Sequence, residues 1–124
     1  MGDKIILGKH SFNTIVAVSS DEQAKGLMWQ KWPPPVMCFP SQPSVRKFWM
    51  KNTVSPLDIV FSHNNVITSI EYGEPLSTRC VGPEHLTSLV IELPHGTCEK
   101  LGIQVGQSVK TAFSLKTIAR CVRF

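Results

Sequence analysis

The densest run of chemically capable side chains is Lys51-Asn52-Thr53, preceded by Trp49 and followed by Asp58, seven residues beyond the lysine. A loop rich in hydrogen-bond donors beside a carboxylate suits a polar ligand, and a lysine with an aspartate suits acid–base chemistry. An architectural explanation competes with this. Asn and Thr in a turn commonly bond their own backbone, and Asp58 can take loop N–H groups or pair with Lys51 and so brace a hairpin. Trp49, Lys51, Asn52, Thr53 and Asp58 are the candidate ligand-binding residues, and no catalytic residue is assigned.

The remaining reactive side chains are scattered. Trp29, Trp32 and Trp49 can stack on sugars, bases or a partner's chain, although core packing is the simpler expectation for Trp49. His10, His63, His85 and His95 stand singly, without the spacing of a metal site. Cys38, Cys80, Cys98 and Cys121 lie 42, 18 and 23 residues apart, so they read as reduced core fillers before a disulfide or a metal site. Cys80, next to Arg79, and Cys98 are the thiols nearest loops, but neither lies in a nucleophile signature. Glu71, Glu74 and Glu92, with Asp58, are the acids that can form a carboxylate pair across the mouth of a barrel. No metal or cofactor is expected.

The elements that must position these residues are short. The 124 residues are 42% hydrophobic and 18% charged, which suits one domain with one core spanning residues 1–124. Nine prolines and eight glycines break the chain into short pieces and favour strands over long helices. Strands are expected over Lys4–Leu7, Asn13–Val18 (with Ile15 and Val18 inward), Leu57–Phe61, Val66–Tyr72, Leu89–Leu93 and Ser108–Phe113. Asn64-Asn65 between two alternating runs marks a hairpin, because Asn tolerates the left-handed turn conformation. Arg46–Lys51 reads as extended, with Phe48 and Met50 on one face and Lys47, Trp49 and Lys51 on the other. Ser19-x-x-Glu22 is a capping box opening a helix that Gly26 weakens. Thr97–Leu101 makes a helical turn capped by Gly102. Pro33-Pro34-Pro35 stiffens the link to a short apolar run, Val36–Phe39, with a loop over Pro40–Ser44. A long loop covers Gly73–Glu84, and Ser114–Phe124 is a closing strand or a loose tail. The expected fold is mainly β: a compact single-domain barrel or sandwich with one or two short helices.

Several blocks resemble the uncharacterised family DUF192. They are Gly26-Leu27-Met28, Phe48-Trp49-Met50-Lys51-Asn52-Thr53 with Pro56-Leu57-Asp58, Glu92-Leu93-Pro94-x-Gly96 and Gly102-Ile103-x-x-Gly106, and the likeness spans residues of about 16–109. The resemblance implies a compact, mainly β domain and no established activity. This chain departs from the family pattern at Val36-Met37-Cys38-Phe39, where Gly-Met-Leu-Phe is usual, and at Gly106-Gln107, where Gly-Asp is usual. Trp32-Pro33-Pro34-Pro35-Val36-Met37 is similar to versions in marine cyanobacteria and their phages.

The formal net charge is +4 and the pI about 9.0, with loose basic groups at Arg46, Lys47 and Lys51 and at Lys116, Arg120 and Arg123. The apolar run Ile5-Ile6-Leu7 is too short for a signal-peptide core and no stretch reaches the length of a membrane span, so a cytoplasmic protein is expected. The leading functional expectation is a small binding module for a polar ligand or a protein segment near the Trp49-to-Asp58 motif. An enzyme ranks second, a hydrolase using Asp58 with Lys51 or a glutamate. A basic adaptor for nucleic acid or an acidic host protein ranks third.

Overall fold

Residues 2–122 are described by a computed structural model. Seven strands form one sheet: β1 (Asp3–Leu7), β2 (His10–Val16), β3 (Val36–Ser44), β4 (Leu57–His63), β5 (Val66–Gly73), β6 (Thr87–Pro94) and β7 (Val109–Ala112). Their spatial order is β5-β4-β6-β3-β2-β1-β7, antiparallel throughout except for the parallel pair β2–β3. The sheet curls into a half-barrel because its two edges are tied to each other. Ile67 N–H donates to the Gln107 carbonyl at 2.9 Å, Gly106 N–H to Ile67 at 2.8 Å and Val109 N–H to Asn65 at 2.8 Å. The mainly β expectation holds. The hairpin turn has the anticipated form, with both Asn64 (φ 51°) and Asn65 (φ 63°) left-handed, as the tight turn between twisted strands requires.

Three short helices pack on the sheet: α1 (Ser20–Lys25), α2 (Thr97–Leu101) and α3 (Leu115–Cys121). The capping box at Ser19 and Glu22 is formed in full, and α1 ends at Gly26, where φ is 48°. The helix α3 corrects the expectation of a strand or loose tail from Ser114. Ser114 caps it by accepting from Thr117 N–H, and the Asp3 carboxylate accepts from Ser114 N–H at 2.7 Å and from the Thr117 hydroxyl at 2.8 Å. A cap completed from the other end of the chain cannot be read from local sequence. Arg123 and Phe124 lie outside the described residues.

Two apolar clusters fill the molecule, one on each face of the central strands. The first gathers Ile5, Leu7, Val16, Val60, Ile91, Leu93 and Cys98 inside the curl. The second gathers Leu27, Met37, Phe39, Met50, Leu57, Ile59, Phe61 and Val90 beneath α1 and the segment from Arg46 to Thr53. Each large side chain so buried contributes roughly 1.5–3 kcal/mol. Leu57, Ile59 and Phe61 therefore alternate with Asp58, Val60 and Ser62, and both sets are buried. The outer cover does not reach β2, which explains why Ile15 is 50% exposed and Val16, not Ile15, points inward.

Two further segments differ from expectation. Pro40–Ser44 continues β3, pairing with β6 at Pro40–Leu89 and Ser44–Thr87 across an irregular register, which accommodates residues that lack a ladder N–H. Arg46–Lys51 is not a regular strand. It carries one bridge, Phe48 to Val81, with Phe48 and Met50 facing inward and Trp49 and Lys51 outward as anticipated.

Candidate functional site

The segment from Arg46 to Thr53 is held as a wall by the loop that follows β5. Phe48 and Val81 exchange backbone hydrogen bonds at 2.9 and 2.8 Å, Met50 N–H donates to Ser77 at 2.9 Å, and Leu76 N–H donates to Thr53 at 2.9 Å. A Cβ on Gly82 would stand 2.4 Å from the Arg46 carbonyl oxygen, so only glycine admits this close approach of the two chains. On the other side, Trp29 N–H donates to the Asn52 carbonyl at 2.8 Å and the Ser55 hydroxyl to the Gln30 carbonyl at 2.8 Å. These contacts hold the wall facing the C-terminal end of α1.

Between wall and helix lies an open cleft of about 610 Å³. Leu27, Met28, Phe39 and Phe48 supply apolar surface, while Lys25, Lys47, Lys51 and Trp49 stand along its margin. Arg46 reaches across: its guanidinium donates to the Phe39 carbonyl at 2.5 Å and to Gln23 Oε1 at 3.0 Å, and lies 5.1 Å from the centre of the Phe48 ring. Burial lowers the pKa of Arg46, and the acceptors it bonds, a backbone carbonyl and an amide oxygen, are uncharged. Lys47 pairs with Glu84 at 2.5 Å, and Lys51 Nζ lies 5.3 Å from the centre of the Trp49 ring.

The Glu92 carboxyl also lines the cleft. Glu92 sits in β6 opposite Ile59 of β4 and Met37 of β3, on the face that carries the outer cluster, and is 4% exposed. Among the described residues no donor or cation reaches its carboxyl within bonding distance. Burial alone pushes its pKa from an ordinary 4.5 up to about 8, so at neutral pH it is a carboxylic acid. A buried ionisable group normally has a hydrogen-bonded partner, and this one has none among the described residues.

Asp58 lies on the opposite face. It stands across from Leu93, with the inner cluster, and its carboxylate has two partners. Asp58 Oδ2 accepts from Cys98 N–H at 3.0 Å, and Oδ1 lies 2.9 Å from His95 Nδ1. Helix α2 begins after Gly96, which offers no capping side chain, so Asp58 supplies the missing cap from a neighbouring strand. The His95 side chain is half-exposed and packs edge-on against Tyr72, with ring centres 4.7 Å apart. The Cys98 thiol is pushed up to about 12, first by burial and then by the Asp58 charge, the opposite of what a nucleophile needs. Cys38 is likewise pushed up to about 12 by burial.

Of the residues singled out from the sequence, the structure brings Trp49, Lys51 and Thr53 together along the cleft. Asn52 is a hinge of the wall: φ is 59°, and its side-chain amide contacts the Met28 sulfur at 3.9 Å. Asp58 is separated from all of them by the sheet. The pairing of Asp58 with Lys51 is not formed. Nor do the carboxylates assemble: Glu71 and Glu92 flank Ile59 on the strands either side of it, about 10 Å apart by strand spacing, and Glu71 accepts from the Ser69 hydroxyl at 2.7 Å. Trp49 is 45% exposed, not packed in the core, because its neighbours Phe48 and Met50 take the inward positions. Trp29 and Trp32 are also exposed, at 65% and 55%.

Arg46 and Glu92 were not recognised in the sequence as the cleft's charged lining. A lone glutamate inside the apolar run Leu89–Leu93 was the available signal for Glu92, since such a position is buried on both faces in a central strand. Among the described residues no group of His, Cys, Asp and Glu is placed to hold a metal ion, and no helix is long and apolar enough to cross a membrane.

Residues 4–111 match the family DUF192, described as "Uncharacterized ACR, COG1430", and the chain belongs to that family. It is similar to a crystal structure of a protein of unknown function from Novosphingobium aromaticivorans DSM 12444, at 32% identity over 87% of this chain and 82% of that one, with a TM-score of 0.79. It is also similar to a Sinorhizobium meliloti 1021 protein named "putative transcription regulator", at 28% identity over 88% of this chain and 91% of that one, with a TM-score of 0.78. No curated protein matches the chain.

Asp58 and Glu92 lead to opposite predictions. Asp58→Asn weakens the buried cap of α2 and lowers stability by roughly 1–3 kcal/mol. For Glu92 the sign follows from the raised value. The protonated form favours the fold, so its contribution is complete below pH 4.5 and is lost progressively as the pH rises to about 8. Glu92→Gln suffers no such loss. Its advantage over wild type grows by about 1.4 kcal/mol per pH unit through that window and is constant above it. Urea unfolding of both variants across about pH 5 to 9 checks the two signs.

Proposed function

We propose that this protein is a small ligand-binding domain whose site is the cleft between α1 and the wall formed by residues 46–53. The carrying observation is Glu92, which is 4% exposed, lines the cleft and has no partner for its carboxyl among the described residues. A strand position occupied by an unpaired ionisable group lowers stability, and proteins keep such positions where function needs them. The dimensions agree with this reading, because small-molecule pockets commonly measure about 300–1,000 Å³. Trp49 and Lys51 at the margin are the motif residues that would meet the ligand first.

The alternatives have less support. A hydrolase using Asp58 with Lys51 or a glutamate requires groups that lie on opposite faces of the sheet. Of the basic side chains that a nucleic-acid adaptor would use, Arg46 is engaged within the fold, Lys47 pairs with Glu84 and Arg120 pairs with Glu22, which leaves Lys51 and Lys116 too far apart in the chain to mark one basic face. The name of the Sinorhizobium protein brings a regulatory role forward as a second reading, one in which a ligand domain of this kind would sense an effector.

A fragment screen followed by the backbone and indole NMR signals of the labelled protein tests the proposal. Bound fragments are expected to shift the signals of Gly26, Trp49 and Lys51 together. Hits that cluster elsewhere, or a library that leaves those signals unmoved, would overturn it.

A further inference from the structure

The cleft also constrains the charge of what it binds. This inference rests on the cleft being a ligand site. Every charged or titratable side chain that lines it is cationic, apart from Glu92 and the thiol of Cys80. Lys25 comes from α1, Arg46, Lys47 and Lys51 come from the wall, and Cys80 comes from the loop behind the wall. Of the cations only Lys47 has a carboxylate partner, Glu84, among the described residues. A cationic ligand would enter against this field and would have to ionise Glu92 in a site that resists its charge.

An anion meets the reverse situation. Lys25 and Lys51 offer unneutralised charge, Arg46 retains N–H groups beyond the two that bond Phe39 and Gln23, and a protonated Glu92 offers an O–H. The C-terminal end of α1 offsets this only in part, because two of its last carbonyls are taken: Gly26 N–H donates to Glu22 and Met28 N–H to Lys25. Apolar surface from Leu27, Met28 and Phe48 sets the rest of the ligand's character. Phosphate sites are commonly built from clustered backbone N–H groups at helix N-termini, whereas here the donors are separate side chains and the helix presents its other end.

We infer that the cleft takes an organic carboxylate with an apolar body, whose oxygens accept hydrogen bonds from the Glu92 carboxylic acid and from a lysine at the rim. The ligand keeps its negative charge and Glu92 keeps its proton, so no covalent step is involved. Binding is therefore coupled to Glu92 staying protonated. Affinity is flat at neutral pH and falls tenfold per pH unit once Glu92 ionises in the free protein.

The test compares 3-phenylpropionate, 3-phenylpropylammonium, 3-phenylpropanamide and phenyl phosphate, which share an aromatic body and differ in head group. Binding is followed by the Trp49 indole signal from about pH 6 to 9.5, with Cys80→Ser as background so that the thiol takes no part. The carboxylate is expected to bind at least about tenfold more tightly than the other three at neutral pH, with a decline beginning near pH 8. In Glu92→Gln, whose amide still donates, carboxylate binding at neutral pH should survive and the decline that begins near pH 8 should vanish. Tightest binding by the ammonium, the amide or the phosphate overturns the inference while leaving the cleft a ligand site. An unchanged decline in Glu92→Gln overturns the role of Glu92. Failure of all four probes to move the Trp49 signal overturns both the inference and the ligand-site reading.

Discussion

The rest of the structure depends on the burial of β4 and β6 on both faces. Once these central strands are covered by the inner cluster on one side and by α1 and the wall on the other, most side chains on them are cut off from bulk water. A polar group there must find a partner inside the molecule or leave the fold weaker. Ser62 donates to the Leu89 carbonyl at 2.8 Å, and Asp58 accepts from Cys98 N–H and meets His95. Glu92 is the acidic residue on these strands for which the described residues provide no partner. That contrast separates a carboxylate that braces the fold from one that the fold leaves without a partner more sharply than residue type does.

The same constraint explains why the conspicuous polar motif divides. Trp49-Met50-Lys51-Asn52-Thr53 belongs to the cover over the outer face, whereas Asp58 belongs to the strand beneath and points the other way. Period-two alternation sends neighbours on a strand to opposite faces, so the motif serves two different places. Met50 plugs the outer cluster, Asn52 ties the wall to the segment before β3, and Trp49 and Lys51 remain for the cleft. Asp58 contributes stability to α2 without touching that region. The two effects are opposite in sign.

Much of the fold was legible from local chemistry. The capping box at Ser19, the Asn64-Asn65 hairpin and the inward Phe48 and Met50 follow from short-range rules, and each is present in the structure. What escaped depends on partners distant in the chain. The cap of α3 is Ser114, but the carboxylate that holds it in place comes from Asp3, more than a hundred residues earlier, as the Asp3–Thr117 bond with a separation of 114 residues shows. Ile15 faces outward because the cover stops short of β2, a fact of tertiary layout. Glu92 was visible as a lone acid in an apolar run, but its significance required knowing that both faces of β6 are covered and that a cleft opens at that spot. Arg46 looked like a surface cation and proved to be a strut bonded to Phe39 and Gln23.

The central claim is that Glu92 is an unpartnered carboxylic acid in the resting protein. Carboxyl ¹³C NMR on protein labelled at glutamate, with the Glu92 signal assigned through Glu92→Gln, measures this directly. The account predicts a carbon shift of the protonated form at neutral pH, moving to that of the carboxylate with a midpoint near pH 8. A signal already at the carboxylate position at neutral pH, titrating in the ordinary range near 4.5, would contradict it.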